Sequence, residues 1–243
     1  MKCWGLTDPG CVRTQNQDAF HIEELDTNVL LGIVCDGMGG AKSGNIASTL
    51  AVDVFVQEIK RTWTPDMDRE QLDKMLFNAV KLTNFTVYDQ SQQFEEFTGM
   101  GTTLVAVLVC GNTATVVNVG DSRAYCVGDD GISQLTVDHS VVQMMVARGE
   151  VSPEQAKTYP GKNLITRAIG TEPAVKCDIF HHKVKRGESL VLCTDGLSNI
   201  IDEQEILFEV VHGDDKQQCC QRLLEIAKNR GAPDNVTSVL IEV

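Results

Sequence analysis

Three apolar runs stand almost end to end at 103–110, 113–119 and 123–127, separated by little more than Gly111-Asn112 and Gly120-Asp121. Pairs of that kind make tight hairpin turns. The middle of the chain is therefore expected to form antiparallel sheet. Further strand-like runs lie at 3–6, 19–23 and 29–35, and later at 175–180, 190–194 and 236–243. Helical spacing governs 43–60, where Ile46, Ala47, Leu50, Val54 and Phe55 fall mostly three or four apart. It governs 68–88 as well, through Leu72, Met75, Leu76, Ala79 and Leu82, after a break at Thr64-Pro65-Asp66. The pattern predicts a helix over 138–149, a short helical segment after Pro153, a loop at 158–162 and a helix over 216–229. Strands in hairpin succession with helices in pairs indicate α+β, not the βαβα alternation of a doubly wound sheet. Several runs are apolar on both faces, which suits sheet packed on sheet with helices outside.

The length, 243 residues, suits one domain over 1–243, and no linker, low-complexity tract or fixed-period repeat divides it. The net charge of −13 argues against nucleic acid or an anionic membrane as a partner, since both attract Lys/Arg surfaces. No apolar run approaches the roughly 18–20 residues of a membrane span. No secretory leader is visible after Met1, which suggests a cytoplasmic protein or a domain cut from a longer one, and reduced thiols are expected for the nine irregularly spaced cysteines.

One pattern recurs at the ends of strands. Cys35 leads to Asp36-Gly37, Val119-Gly120 to Asp121-Ser122 and Thr194 to Asp195-Gly196, while Asp234-Asn235 precedes the last strand. Each alone reads as an ordinary turn pair. Four acids closing buried strands of one domain are harder to explain that way. If they converge, their mutual repulsion calls for divalent cations. All-oxygen ligation selects Mg²⁺ or Mn²⁺, and a pair of such ions suits in-line displacement at phosphorus. Arg13 offers a planar fork for phosphate oxygens, with Asp18 five residues on; taken alone, the two would form a surface ion pair.

These residues belong to a longer series. R-T-Q-N-Q-D at 13–18, D-G-M-G-G at 36–40, G-T-T at 101–103, G-D-S-R at 120–123, D-H-S at 138–140, T-R-A-I-G at 166–170, T-D-G-L at 194–197 and D-N-V-T at 234–237 occur in this order. Together they resemble the protein phosphatase 2C family, the metal-dependent PPM serine/threonine phosphatases, in its compact bacterial branch. The resemblance implies an αββα sandwich, with two central antiparallel sheets flanked by helix pairs. It implies two Mn²⁺ or Mg²⁺ ions, Asp36 bridging them and orienting the attacking water, the Gly37 carbonyl on one ion, and Asp195 and Asp234 on the other. Asp18 would hold a bound water or ligate weakly. Asp121 with Asp195 would match a third metal site, Arg13 would bind the phosphate, and 141–166 would be a variable flap.

The implied reaction is hydrolysis of phosphoserine and phosphothreonine in proteins, by in-line attack of a metal-bridging hydroxide. The implied setting is opposition to a bacterial serine/threonine kinase, by a monomer with phosphoproteins as partners. Met38 and Ala41 stand where relatives carry histidine, and neither donates a proton. His139 is expected to be packed or to cap a helix. No Cys has Arg six residues later, which excludes a cysteine-phosphatase loop. His181-His182 reads as the surface end of a strand, Asp129-Asp130-Gly131 as a hairpin turn, Asp214-Asp215 as a solvated loop and Met144-Met145 as packing. Two other readings stay open: a catalytically silent phosphoprotein-binding regulator, and hydrolysis of a small phosphorylated metabolite, which a deep narrow pocket would favour.

Overall fold

The structure is a computed structural model. It describes residues 1–213 and 215–243, with backbone alone at 41 and 42, so Asp214 of the expected 214–215 loop lies outside the described residues. One sheet runs in the order β1 (Lys2–Asp8), β11 (Val236–Glu242), β10 (Ser189–Cys193), β7 (Arg123–Gly128), β8 (Gly131–Gln134). The other runs β2 (Asp18–Asp26), β3 (Val29–Met38), β5 (Leu104–Cys110), β6 (Thr113–Val119), β9 (Asp178–Lys183), with the short β4 (Gly101–Thr102) also on β3. All pairs are antiparallel.

Strand alternation sorts the apolar residues into three layers of core. Leu30, Val34, Val105 and Val107 of one sheet meet Leu190, Leu192, Val239 and Ile241 of the other. Leu31, Ile33 and Cys35 point outward, to α1 (Gly40–Thr62) and α2 (Arg69–Gln93). Val191 and Leu240 point outward to α6 (Glu203–His212) and α7 (Cys219–Asn229). Burying both faces of each strand is what selects the four-layer αββα arrangement. Among the described residues no helix is long and apolar enough to cross a membrane.

Several local expectations need correction. Gly120-Asp121 is not a hairpin turn: β6 and β7 lie in different sheets, and the chain crosses between them there. Gly120 makes the crossing with φ of +107°, and a Cβ would sit 2.6 Å from the Thr103 side chain. β3 does not stop at Cys35 but runs on to Met38, so Asp36 and Gly37 are strand residues. The strand expected at 175–180 lies at Asp178–Lys183, because the polar His181-His182-Lys183 pairs with Thr113–Thr115 and completes the ladder. The helix expected over 138–149 is α3 (Val141–Ala147), with Ser140 rather than His139 as its cap; a short α4 (Pro153–Ala156) follows. Sequence reading also missed β8, α5 (Asp195–Ser198) and α6. The last had a legible signal, the reciprocal cap of Asp202 and Glu205 ahead of Ile206 and Val210. Asp129-Asp130 does turn between β7 and β8, and Asp215 caps the 3₁₀ turn at Lys216–Gln218.

Candidate active site

The five acids singled out in the sequence meet at one end of the sandwich, although they come from both sheets. Asp18 opens β2 and stands directly opposite Asp36 of β3. Asp121 sits in the crossing after β6, Asp195 begins α5 just after β10, and Asp234 lies two residues before β11. The backbone around Asp36 is held on both sides. Its N–H donates to Thr103 Oγ1 at 2.9 Å, and its carbonyl accepts from Thr102 Oγ1 at 2.8 Å. Gly37 is anchored by its N–H, which donates to the carbonyl of Gln17 at 3.0 Å.

Asp18 is the buried member. Thr194, just past the end of β10, and Thr237 of β11 donate to its Oδ2 at 2.9 and 2.6 Å. Its Oδ1 is buried without a hydrogen-bond partner. An orphaned carboxylate oxygen is costly unless something positive or protic faces it. Burial is the main cause that pushes Asp18 up to about 7; the two threonines oppose the shift, and the charges of Asp195 and Asp234 add to it. Burial likewise pushes Asp121 up to about 7, helped by Asp195 and Asp138. Asp36 is raised well above the ordinary carboxylate range, by burial and then by Asp18, Asp195, Asp121 and Asp234 together. Asp195 is raised by burial and by Asp234, while a hydrogen bond with Asp36 opposes the shift. Asp18, Asp36, Asp121 and Asp195 are thus all raised with neighbouring carboxylates among the causes, which is the electrostatic signature of a cation site.

The donor set fits hard divalent ions: carboxylates and backbone carbonyls, with Asp18 Oδ1 free to accept. Among the described residues, no three of these acids bring oxygens mutually within 4.8 Å of one another.

Arg13 is exposed, and its guanidinium donates to Asp234 Oδ2 at 2.8 Å, not to Asp18. Asn235 explains how the 13–18 segment reaches this place. Its side-chain oxygen accepts from the Gln17 N–H at 2.8 Å, and its amide donates to the carbonyls of Gln15 and Pro9 at 2.9 and 3.0 Å. Thr102, Thr103, Thr194, Thr237 and Asn235 were not singled out one by one, though each lies within or beside a motif that was.

His139 is buried and supports the site from outside. Its Nδ1 accepts the Gly120 N–H at 3.0 Å, and its backbone N–H donates to the Gly120 carbonyl at 2.9 Å. That tautomer leaves Nε2 carrying the proton toward Asp178 Oδ2 at 3.1 Å. Burial holds the ring below its ordinary range, hence neutral. His139 therefore pins the turn that carries Asp121. Cys35 is fully buried, and burial raises its thiol well above normal, which disqualifies it as a nucleophile.

A sequence profile described as Protein phosphatase 2C matches residues 12–240. Serine/threonine phosphatase stp of Listeria monocytogenes is 34% identical over 236 residues, covering 97% of this chain and 93% of that protein. The crystal structure of serine/threonine phosphatase Stp1 from Staphylococcus aureus superposes with a TM-score of 0.93 at 34% identity, covering 100% of this chain and 94% of that one. The catalytic domain of serine threonine protein phosphatase PstP, solved in complex with 2 manganese ions, superposes with a TM-score of 0.83 at 31% identity, covering 98% and 96%.

Proposed function

The chain belongs to the protein phosphatase 2C family, and on that premise we propose that it hydrolyses phosphoserine and phosphothreonine in proteins with the help of divalent metal ions. The observation that carries this reading is the convergence of Asp18, Asp36, Asp121, Asp195 and Asp234 with one buried oxygen left unpartnered. A relative solved with two manganese ions supports Mn²⁺, with Mg²⁺ as the hard alternative. Asp36, the Gly37 carbonyl, Asp195 and Asp234 would hold two ions, Asp18 would orient water beside them, and Asp121 with Asp195 would offer a third position. When bound, such ions supply acidified water and positive charge beside the phosphoryl oxygens.

The rest of the work falls to the chain itself. Arg13 is exposed, and it would exchange Asp234 for phosphoryl oxygens, using the same planar fork. His139 keeps the Asp121 turn in place and has no ring nitrogen free for the leaving group. With Met38 and Ala41 lacking a transferable proton, the departing alkoxide would be protonated by water or by a side chain other than these two. Segment 141–166 acts as a flap. Its ends are tied by the Val141 N–H to the Leu164 carbonyl at 2.8 Å, and the positive charge of Lys162 is felt at Asp195.

The cavity against the 13–18 segment is an open one of about 480 Å³, lined by Gln15, Asn16, Asn45 and Ile46. Neither Arg13 nor any of the five acids lines it, so the choice of protein substrates rests on the relatives, which are serine/threonine phosphatases. A serine/threonine kinase acting on the same proteins is the natural counterpart. Retention of the whole acid set favours an enzyme over a silent regulator.

The test is phosphate release from a phosphothreonine peptide with Mn²⁺, with chelator, and with Asp195→Asn. Release that needs Mn²⁺ and is lost in the variant is expected. No release by wild type despite Mn²⁺ binding in calorimetry would shift the reading to a binding protein. Arg13→Ala is expected to raise KM roughly tenfold or more with a smaller change in kcat, from loss of a charged phosphate contact. An unchanged KM would remove Arg13 from the phosphate site.

A further inference from the structure

At the opposite end of the sandwich, three side chains of different chemistry meet. Cys126 lies on β7 and His182 on β9, strands of different sheets, and Glu188 lies in the connection from β9 to β10. Sγ, a ring nitrogen and a carboxylate oxygen of the three all fall within 4.8 Å of one another. Strand alternation accounts for the meeting. Phe180 packs into the core between the sheets, so His182, two residues on, is on the same inner face. Cys126 faces that layer from the other sheet, while Tyr125 and Val127 face α6 and α7. Glu188 lies at the far end of β10 from Asp195, roughly 20 Å away at about 3.3 Å of rise per strand residue.

The surroundings leave the three groups available. Glu188 Oε2 is aimed by the Lys185 N–H, which donates to it at 2.7 Å, and accepts the Cys126 thiol proton at 3.6 Å. The Lys185 ammonium, a competitor for that carboxylate, is drawn away to Asp130 at 2.8 Å. Gly128 leaves room for the glutamate stem: a Cβ there would sit 2.9 Å from Glu188 Cγ. His181 bonds Asp73 and Thr115, but the His182 ring has no hydrogen-bond partner among the described residues. Cys126 is buried, while His182 and Glu188 are half-buried, so an ion has a route in from solvent.

We propose that Cys126, His182 and Glu188 form a zinc site that cross-links the two sheets, distinct from the acidic site at the other end. Thiolate, imidazole and carboxylate are the zinc donor set, and three protein ligands leave a fourth tetrahedral position for water. A thiolate disfavours the hard ions suited to the aspartates. Without metal the thiol is protonated, since burial and the nearby Glu188 push it up to about 12. Zinc binding releases that proton to solvent as the Zn–S bond forms.

The experiment is a Co²⁺ titration of metal-free protein followed by near-ultraviolet absorption, then displacement with Zn²⁺. A thiolate-to-cobalt band, bleached by one equivalent of Zn²⁺, is expected in wild type and equally in Asp36→Asn. Cys126→Ser should abolish the band. His182→Gln, at a half-buried position tolerant of change, should weaken Zn²⁺ binding by roughly tenfold or more, since even outer contacts to metal ligands are worth that much. Absence of a thiolate band in wild type, or a band and Zn²⁺ affinity unchanged by His182→Gln, would overturn the site.

Discussion

Asp36→Asn is expected to lower kcat on a phosphothreonine peptide by about a thousandfold or more at saturating Mn²⁺, roughly 4 kcal/mol in barrier height. The reason is its place in the charge network. Asp36 is the one acid whose ionisation is opposed by all four of the others, so its carboxylate is central to whatever cations the group holds. The amide is isosteric with the carboxyl, and the backbone of residue 36 keeps its bonds to Thr102 and Thr103, which leaves the fold intact. In chelator the variant should unfold at a temperature equal to or above that of wild type, because one buried, repelled carboxyl has gone. Kinetics with Mn²⁺ and thermal unfolding in chelator separate the two effects. Turnover at the wild-type rate would sink the two-ion reading.

The second large effect is on stability against pH in the absence of metal. Asp18 and Asp121 each rest near 7 in the fold against 3.8 unfolded. The folded chain thus holds protons that the unfolded chain has released. Stability from such groups is complete below about pH 4 and is lost as pH rises through about 7. For Asp18 alone the displacement corresponds to about 4 kcal/mol. In a chain of this size that is a fall in Tm of the order of 10 °C. His139 acts the other way, because a ring kept neutral by burial disfavours the fold at low pH. It is one group against four raised acids, so the net fall stands. Thermal unfolding at pH 5 and pH 8 in chelator should show the decline, and Mn²⁺ at pH 8 should restore the loss. A Tm in chelator that rises from pH 5 to pH 8 would contradict the electrostatics of the cluster.

Much of this was legible in the chain. Apolar runs with turn pairs between them announce antiparallel sheet because strand period and turn chemistry are local properties. Runs apolar on both faces announce a buried double sheet for the same reason. The strand-end acids were legible too, since Asp beside Gly, Ser or Asn after an apolar run needs no knowledge of distant partners. The misassigned strand at 178–183 shows the limit. His181 and His182 read only as the end of a strand, yet with Lys183 they form the second half of β9 and are held in the ladder by β6. Gly120-Asp121 shows the same limit from the other side, for a turn pair does not record whether the next strand rejoins the same sheet or crosses to the other.

By itself, the sequence determined the chemical kind of the site: oxygen donors in excess, suited to hard cations, an arginine whose planar fork matches phosphate oxygens, and no cysteine-phosphatase loop. Tertiary structure alone decided who meets whom. It set Arg13 on Asp234 rather than on Asp18, and it buried Asp18 beneath Thr194 and Thr237 with one oxygen unpartnered. It also turned His182, which reads as a surface strand end, toward Cys126 and Glu188. The physical reason is that residue type and spacing specify which face of a strand a side chain occupies, whereas the stacking of two sheets specifies what that face touches.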